Sequence, residues 1–150
     1  MINALKSVLL VEDNELDVEL TLEAFKGNNL ANSVQVVRDG EEALEYLYRE
    51  GRFQGRPEGN PILVLLDLKM PKVNGLDVLR KVKADPDLKS IPIVMLTTSK
   101  EEQDLVESYK LGVNAYVVKP VHFPDFVTAI SQLGTFWALV NNPPPGSVRQ

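Results

Sequence analysis

Short apolar runs alternate with longer amphipathic segments along this chain of 150 residues. Five of the runs are rich in valine, isoleucine and leucine, which is typical of strands buried on both faces of a parallel sheet. They cover residues 5–11, 34–37, 62–67, 92–96 and 115–118. A segment with apolar residues at helical spacing follows each run. The alternation therefore predicts five β-α units, with a parallel sheet and helices on both of its faces.

The helices are predicted from apolar spacing and from the residues that flank them. Asn14 and Asp39 are suited to cap the first two helices, and Pro124 is tolerated in the first turn of the last one. The predicted helices cover residues 14–27, 39–48, 75–84, 99–112 and 124–140. The apolar side of the first helix is predicted to contain Leu16, Leu20 and Phe25, flanked by Val18 and Leu22. The inner stripe of the second is predicted to contain Ala43, Leu44, Leu47 and Tyr48.

The pattern describes one domain over residues 1–140. Residues 49–61 interrupt it with glycines and prolines among charged residues, which predicts a long exposed loop. Residues 141–150 are rich in proline and predict a flexible tail, too short and too polar to form a second core. We therefore expect a protein that acts without an output domain of its own.

Composition and charge exclude several classes of protein. The chain has no cysteine, which rules out disulfides, thiol catalysis and zinc–thiolate sites. The net charge of −5, without a cluster of lysines and arginines, argues against a nucleic-acid-binding surface. No apolar run approaches the ~20 residues that cross a membrane, and the N-terminus lacks a signal-peptide pattern. We expect a cytoplasmic protein that binds neither nucleic acid nor membranes.

Polar residues collect where the predicted strands end. In chain order they are Glu12, Asp13, Asp67, Thr97 and Lys119. Ligands of open α/β sheets bind outside the carboxyl ends of the strands, so we expect these side chains to share one cleft. Asp67 stands alone after the most central apolar run. A carboxylate at that end avoids the cost of burial inside the strand.

Three carboxylates in one cleft repel one another and require a cation. Oxygen ligands without clustered histidine or cysteine fit Mg²⁺ or Mn²⁺ best. Such a cation and Lys119 would neutralise the oxygens of a transferred phosphoryl group, and Thr97 would donate a hydrogen bond to them. Asp67 is then the best candidate for a nucleophile that becomes an acyl phosphate.

The same residues carry a family resemblance. Over nearly its whole length to about residue 140, the sequence resembles the receiver domain of two-component response regulators. The matching residues are Glu12-Asp13, Asp67 with Met70-Pro71 and Gly75, Thr97, Tyr116 and Lys119-Pro120. The resemblance implies a flavodoxin-like (CheY-like) three-layer sandwich with five parallel strands in the order 2-1-3-4-5. It also implies a signalling protein, rather than an enzyme, that accepts a phosphoryl group from a sensor histidine kinase.

The resemblance implies a role for each matching residue. Asp67 would be the phosphoacceptor, assisted by Thr97 and Lys119. The implied ligands of Mg²⁺ are Glu12, Asp13, Asp67 and the backbone carbonyl of Lys69. Thr97 and Tyr116 match the pair of residues that switches conformation, and the peptide bond between Lys119 and Pro120 would be cis.

A narrower resemblance concerns the partner. The long loop before Asp67, the Leu-Thr-Thr-Ser-Lys sequence at 96–100 and the Phe136-Trp137 pair resemble single-domain regulators of bacterial phytochrome kinases, found mainly in cyanobacteria. The resemblance implies a phytochrome-type histidine kinase as the partner. Phe136 and Trp137 also extend the apolar stripe of the last helix, so we expect a homodimer built on the fifth strand, that helix and neighbouring segments.

Two other functions stay open at the level of sequence. One is a binding module of the same fold that never takes up phosphate, which the intact Asp67 and Lys119 argue against. The other is a Mg²⁺-dependent phosphatase that works through an aspartyl phosphate. Such enzymes usually need a second aspartate two residues after the nucleophile, where this chain has Lys69.

Overall fold

The computed structural model describes residues 5–26, 33–68, 70, 73–98 and 115–131. Within these ranges the strands are β1 (Leu5–Val11), β2 (Ser33–Val37), β3 (Pro61–Asp67), β4 (Ile93–Thr97) and β5 (Ala115–Val118). The α-helices are α1 (Glu15–Lys26), α2 (Gly40–Tyr48), α3 (Gly75–Ala84) and α4 (Phe123–Ser131). A short 3₁₀ helix covers Gly51–Phe53. All five predicted strands are present, with ends within one residue of the predicted ones.

The five strands form a parallel sheet in the order β2-β1-β3-β4-β5. This order confirms the predicted flavodoxin-like fold. After β1 the chain moves outward to β2 and then returns to β3 on the other side of β1. The order of the strands reverses at this point, which leaves a crevice at the carboxyl ends of β1 and β3.

Successive residues of each strand face opposite sides of the sheet, and helices cover both sides. On one side, α2 and α3 pack on the sheet through a core that includes Leu9, Ala43, Leu47, Val64, Leu66, Val78, Leu79 and Met95. On the other side, α1 and α4 pack through a core that includes Val8, Leu10, Val18, Phe25, Leu63, Leu65, Leu96 and Phe126. The three layers hold the strand ends rigidly, because each fully buried leucine or valine contributes about 1.5–3 kcal/mol.

Side-chain caps begin three of the helices. The side-chain oxygen of Asn14 accepts a hydrogen bond from the backbone N–H of Asp17 at 3.0 Å, and that of Asp39 accepts one from Glu42 at 2.8 Å. Asn74 begins α3 in the same way. The predicted caps at Asn14 and Asp39 are confirmed, and they fix where α1 and α2 leave the edge of the sheet.

The predicted apolar side of α1 is wrong for Leu16 and Leu20 and is confirmed for Val18 and Phe25. Leu16 and Leu20 are 62% and 41% exposed, whereas Phe25 is buried as predicted. The buried positions of the helix are Val18, Thr21 and Phe25. These three residues recur at intervals of three and four and therefore form one stripe. Leu16 lies two residues before that stripe begins, on a different side of the helix.

The inner stripe of α2 contains Tyr46 rather than the predicted Tyr48. Tyr48 is exposed, whereas Tyr46 is buried under residues that follow the helix. The ring of Phe53 lies edge-on to Tyr46 with 5.0 Å between centroids, and the Arg56 guanidinium lies 4.3 Å from the centre of the Tyr46 ring. Part of the loop at 49–61 therefore packs back on the domain, although sequence patterning predicts an exposed excursion.

Several predictions concern residues outside the described ranges. These are the helix at 99–112, the extension of the last helix to residue 140, the tail at 141–150, and the residues Lys69, Phe136 and Trp137. Among the helices that the structure describes, none is long and apolar enough to cross a lipid bilayer.

Candidate functional site

The register of the central strands brings the acidic residues together. Val11 of β1 is aligned with Leu66 of β3, so the residues that follow them, Glu12 and Asp67, lie beside each other. Asp67 is also aligned with Leu96 of β4. Glu12 and Asp67 are both buried, with 0% and 4% exposure. The sequence prediction that these two carboxylates share one cleft is thus realised in the structure.

Lys119 enters the same cleft from the outer strand. Thr97 of β4 is aligned with Val118 of β5, and the backbone N–H of Lys119 donates a hydrogen bond to the Thr97 carbonyl at 2.7 Å. The Lys119 ammonium lies 3.1 Å from Glu12 Oε1 and 3.2 Å from Asp67 Oδ1. The bond between Lys119 and Pro120 is cis, the isomer implied by the resemblance.

A third carboxylate also binds Lys119, and sequence reasoning missed it. Asp17 Oδ2 lies 3.2 Å from the Lys119 ammonium. Asp17 lies in the first turn of α1, and its backbone N–H is bound by the Asn14 cap. An aspartate at that position also suits the helix dipole, so its sequence position alone gave no reason to place its side chain in the cleft.

The pKa values of Asp67 and Lys119 are both raised, for different reasons. Desolvation, together with the neighbouring Glu12 carboxylate, raises the pKa of Asp67 to about 7, and Lys119 only partly offsets this. Burial lowers the pKa of Lys119, but the carboxylates of Asp67 and Glu12 outweigh it, so that the net pKa is raised. Lys119 is therefore charged at neutral pH, while a proton on Asp67 is easily gained or lost.

The acidic group fits a divalent cation. One carboxylate oxygen from each of Glu12, Asp13 and Asp67 lies within 4.8 Å of the other two. Glu12 and Asp67 are buried and Asp13 is exposed, so an ion could enter from the solvent side. An oxygen-only donor set of this charge suits a hard divalent cation. Burial and the repulsion from Glu12 raise the pKa of Asp67, and a bound cation would relieve the repulsion.

Thr97 and Tyr116 lie on the same side of the sheet. Thr97 is fully buried, and its hydroxyl has no hydrogen-bond partner among the described residues. Tyr116 is aligned with Met95, two residues before Thr97, and packs partly buried against the core that contains Met95. An unpartnered buried hydroxyl costs free energy. Thr97 therefore has a hydrogen bond to gain from an acceptor in the cleft.

Comparison with known proteins identifies the family. The family described as response regulator receiver domain matches residues 8–131. The chain belongs to this family of response regulators. Receiver domains are signalling proteins whose phosphodonor is a histidine kinase, so the partner class of this chain is a sensor histidine kinase.

Three relatives illustrate the similarity of this receiver domain to known proteins. It is 39% identical to response regulator Rcp1 of Synechocystis sp. over 135 residues, 90% of each chain. The alignment with the Mn²⁺-bound crystal structure of Rcp1 covers 92% of this chain and 98% of the Rcp1 chain. The identity is 38% and the TM-score is 0.71.

The bacteriophytochrome response regulator RtBRR is 63% identical, with a TM-score of 0.86 over 95% of this chain and 86% of its own. The phosphorylated cyanobacterial phytochrome response regulator RcpA is 41% identical, with a TM-score of 0.71 over 89% of this chain and 94% of its own. The expected resemblance to phytochrome response regulators is confirmed by these matches.

Proposed function

We propose that this receiver domain accepts a phosphoryl group on Asp67 from a phytochrome-type sensor histidine kinase, with Lys119 and Thr97 assisting. The observation that carries the proposal is the position of Asp67. It is buried at the carboxyl end of β3, with the Lys119 ammonium 3.2 Å from Oδ1. The pairing with a phytochrome kinase is supported by the similarity to two relatives, the bacteriophytochrome response regulator RtBRR and the cyanobacterial phytochrome response regulator RcpA.

The proposed reaction is a displacement at phosphorus. A carboxylate oxygen of Asp67 forms a new bond to phosphorus, while the bond between phosphorus and the histidine nitrogen of the kinase breaks. Asp67 must be deprotonated to attack, and its pKa of about 7 means that loss of this proton is within reach at neutral pH. Lys119 stays protonated and stabilises the negative charge on the phosphoryl oxygens.

The proposed cofactor is Mg²⁺, held by Glu12, Asp13, Asp67 and the backbone carbonyl of Lys69. When bound, the ion would supply positive charge to the phosphoryl oxygens. Mn²⁺ would serve the same oxygen donors. The Lys69 carbonyl lies outside the described residues and enters the proposal through the family resemblance alone.

The proposed output is a conformational switch through Thr97 and Tyr116. The Thr97 hydroxyl would donate a hydrogen bond to a phosphoryl oxygen, and the Tyr116 ring would move into the space that opens. The unpartnered Thr97 hydroxyl supports this step, because the phosphoryl group would satisfy it and thereby favour one of two conformations.

Labelling with acetyl phosphate and Mg²⁺ tests the proposal. The wild type should gain the mass of one phosphoryl group, Asp67→Asn should gain none while keeping its circular dichroism spectrum, and Asp87→Asn should behave as the wild type. Asp87 is a suitable control because it is exposed and its carbonyl binds Asn60, just before β3 at the opposite end of the sheet. Labelling of Asp67→Asn at the wild-type rate would refute Asp67 as the acceptor.

The proposed partner kinase is tested separately. A phytochrome kinase should transfer labelled phosphate to this chain faster than an unrelated histidine kinase does, and the rate should differ between red and far-red light. Equal rates with both kinases would leave the receiver function standing and remove the phytochrome pairing. Because the donor domains of such kinases work in the cytoplasm, the proposal also places this protein there.

We further propose that residues 1–140 form the receiver unit and that it dimerises through β5, the last helix and the Phe136-Trp137 pair. The argument comes from sequence, since both aromatic residues extend the apolar stripe of that helix. Sedimentation at micromolar concentration should give a dimer for the wild type and a monomer for Trp137→Ala. A wild type that is monomeric with and without phosphorylation would refute the dimer.

A further inference from the structure

The Lys119 ammonium has more carboxylate partners than the proposed reaction uses. Its acceptors are Glu12 Oε1 at 3.1 Å and Oε2 at 3.4 Å, Asp17 Oδ2 at 3.2 Å and Asp67 Oδ1 at 3.2 Å. An ammonium group has three N–H bonds, so these three carboxylates saturate it. The Lys119 side chain is 9% exposed and that of Asp17 is 24% exposed, so water screens the Asp17 contact only partly.

Two of the three partners must change when the phosphoryl group arrives. When Asp67 becomes an acyl phosphate, its carboxylate oxygens lose their charge and the negative charge lies on the phosphoryl oxygens. Glu12 belongs to the carboxylate group suited to a divalent cation. Among the described partners of Lys119, Asp17 alone belongs to neither role. The contact of Asp17 with the Lys119 ammonium can therefore persist while the other two N–H groups donate hydrogen bonds to phosphoryl oxygens.

The two ends of this contact come from different elements. Lys119 follows β5 and has four flexible carbons between its backbone and its charge, whereas Asp17 has a short side chain on a capped helix. A carboxylate held this way reduces the freedom of the ammonium, and such prior ordering lowers the barrier of a reaction that needs the charge in one place.

We propose that Asp17 is a positioning residue for phosphoryl transfer, which holds the Lys119 ammonium beside Asp67 before and after the phosphoryl group arrives. The inference rests on the proposed function of Asp67. With acetyl phosphate as donor, the bond from Asp67 to phosphorus forms, the bond from phosphorus to the acetyl oxygen breaks, and acetate leaves with the electron pair. Lys119 keeps its three protons throughout.

A purely electrostatic role for Asp17 makes the opposite prediction. If Asp17 acted only as a negative charge near the cleft, its removal would weaken the repulsion of an anionic donor and speed phosphorylation. If it positions Lys119, its removal slows the reaction, since displacement of a catalytic charge by about 1 Å can cost up to ~100-fold in rate. The sign of the change therefore separates the two roles.

The experiment measures initial phosphorylation rates against acetyl phosphate concentration for the wild type, Asp17→Asn, Asp17→Glu and the control Glu19→Gln. Glu19 is an exposed residue two positions further along α1. We expect Asp17→Asn to lower the maximal rate about tenfold, with half-saturation within about twofold of the wild type. Asp17→Glu restores the carboxylate and should recover most of the rate, and Glu19→Gln should match the wild type.

Two further measurements separate positioning from general damage to the fold. The side-chain ammonium signal of Lys119 in NMR spectra should shift in Asp17→Asn and not in Glu19→Gln. Mg²⁺ affinity should be unchanged in both variants, because Asp17 is not one of the clustered carboxylates.

The outcomes distinguish this inference from the proposed function. A wild type that takes no label from acetyl phosphate would overturn the function of Asp67 itself. A labelled wild type with Asp17→Asn equally fast or faster would overturn the positioning role alone. An Asp17→Glu variant as slow as Asp17→Asn would also overturn the positioning role, because restoring the carboxylate would not have restored the phosphorylation rate.

Discussion

Gly75 and Asp67 lie so close together that a Cβ atom on Gly75 would be 2.3 Å from the Asp67 carbonyl oxygen. The backbone N–H of Gly75 also donates a hydrogen bond to the Leu68 carbonyl at 3.0 Å. The start of α3 is thus packed directly against the strand end that carries Asp67. No flexible side chain lies between them that could move aside.

Gly75→Ala should destabilise the protein by about 1–3 kcal/mol, because the new methyl group meets backbone rather than a movable side chain. It should also weaken Mg²⁺ binding, since the strain falls on the peptide of Asp67. Urea unfolding and a Mg²⁺ titration would measure the two effects. Gly55→Ala is the matched control, because a Cβ there meets no atom within 4 Å. Equal losses in both variants would contradict the argument.

The stability of the metal-free protein should fall as pH rises from about 4 to about 7. Burial and the Glu12 carboxylate raise the pKa of Asp67 to about 7, from 3.8 for an ordinary aspartate. In this range the folded state holds a proton that the unfolded state has lost, so unfolding becomes easier with rising pH. Asp67→Asn should remove this dependence on pH. At pH 8 its free energy of unfolding should exceed that of the wild type by on the order of 1–3 kcal/mol.

Urea unfolding in EDTA at several pH values would test this prediction. The groups that face Asp67 are Glu12 and Lys119, with Asp13 at the exposed side of the cluster. Asp87→Asn, at the far end of the sheet, should keep the wild-type slope. Parallel stability curves for the wild type and Asp67→Asn would show that Asp67 does not titrate in this range.

Sequence reasoning located the strand ends well because burial leaves a strong local signal. Asp67 follows five apolar residues, and the structure ends β3 at Asp67. Each strand end was predicted from its own neighbours in the chain. The rule that parallel strands gather their carboxyl ends at one edge then brought Glu12, Asp67 and Lys119 together without any knowledge of contacts.

The sides of helices were harder to predict because apolar residues occur on more than one side. Leu16 and Leu20 of α1 are as apolar as the buried Val18, and a choice between the two stripes needs the position of the sheet. Tyr46 is buried because Phe53 and Arg56 fold back over it. Contacts made by a later segment leave no mark in the spacing of the helix itself.

Contacts between distant residues were the remaining gap. Asp17 and Lys119 are 102 positions apart, and the neighbouring residues in the chain do not indicate that the two side chains form an ion pair. Gly40 is similar, because a Cβ there would lie 2.0 Å from the Val73 carbonyl oxygen, a contact between α2 and the segment before α3. A close approach of this kind becomes visible only when the helices have been placed on the sheet.

Asp13→Ala should weaken Mg²⁺ binding about tenfold, or about 1.4 kcal/mol, since it removes one of the three carboxylates that would bind the cation. Asp13 is the exposed member of the carboxylate group, so its replacement leaves the buried pair of Glu12 and Asp67 in place. NMR shifts of residues near Asp67 during a Mg²⁺ titration would measure the affinity. Asp87→Ala removes the same charge at the opposite end of the sheet and should bind Mg²⁺ as the wild type does. Equal affinity in both variants would remove Asp13 from the site.

Thr97→Val should separate phosphorylation from its consequence. The Thr97 hydroxyl is buried without a described partner, so its replacement by a methyl group of similar shape should keep or raise stability, by up to about 1 kcal/mol. Asp67 and Lys119 remain, so acetyl phosphate should still label the protein. The conformational response should be lost, because no hydroxyl is left to bond the phosphoryl group, and Thr97→Ala should lose it too.

NMR signals of the Tyr116 ring, recorded with and without acetyl phosphate, would follow the conformational response of Thr97→Val. Thr128→Val, on the exposed side of α4, serves as the control. If the Tyr116 signals of Thr97→Val shifted on phosphorylation as they do in the wild type, the switch would have to begin at a residue other than Thr97.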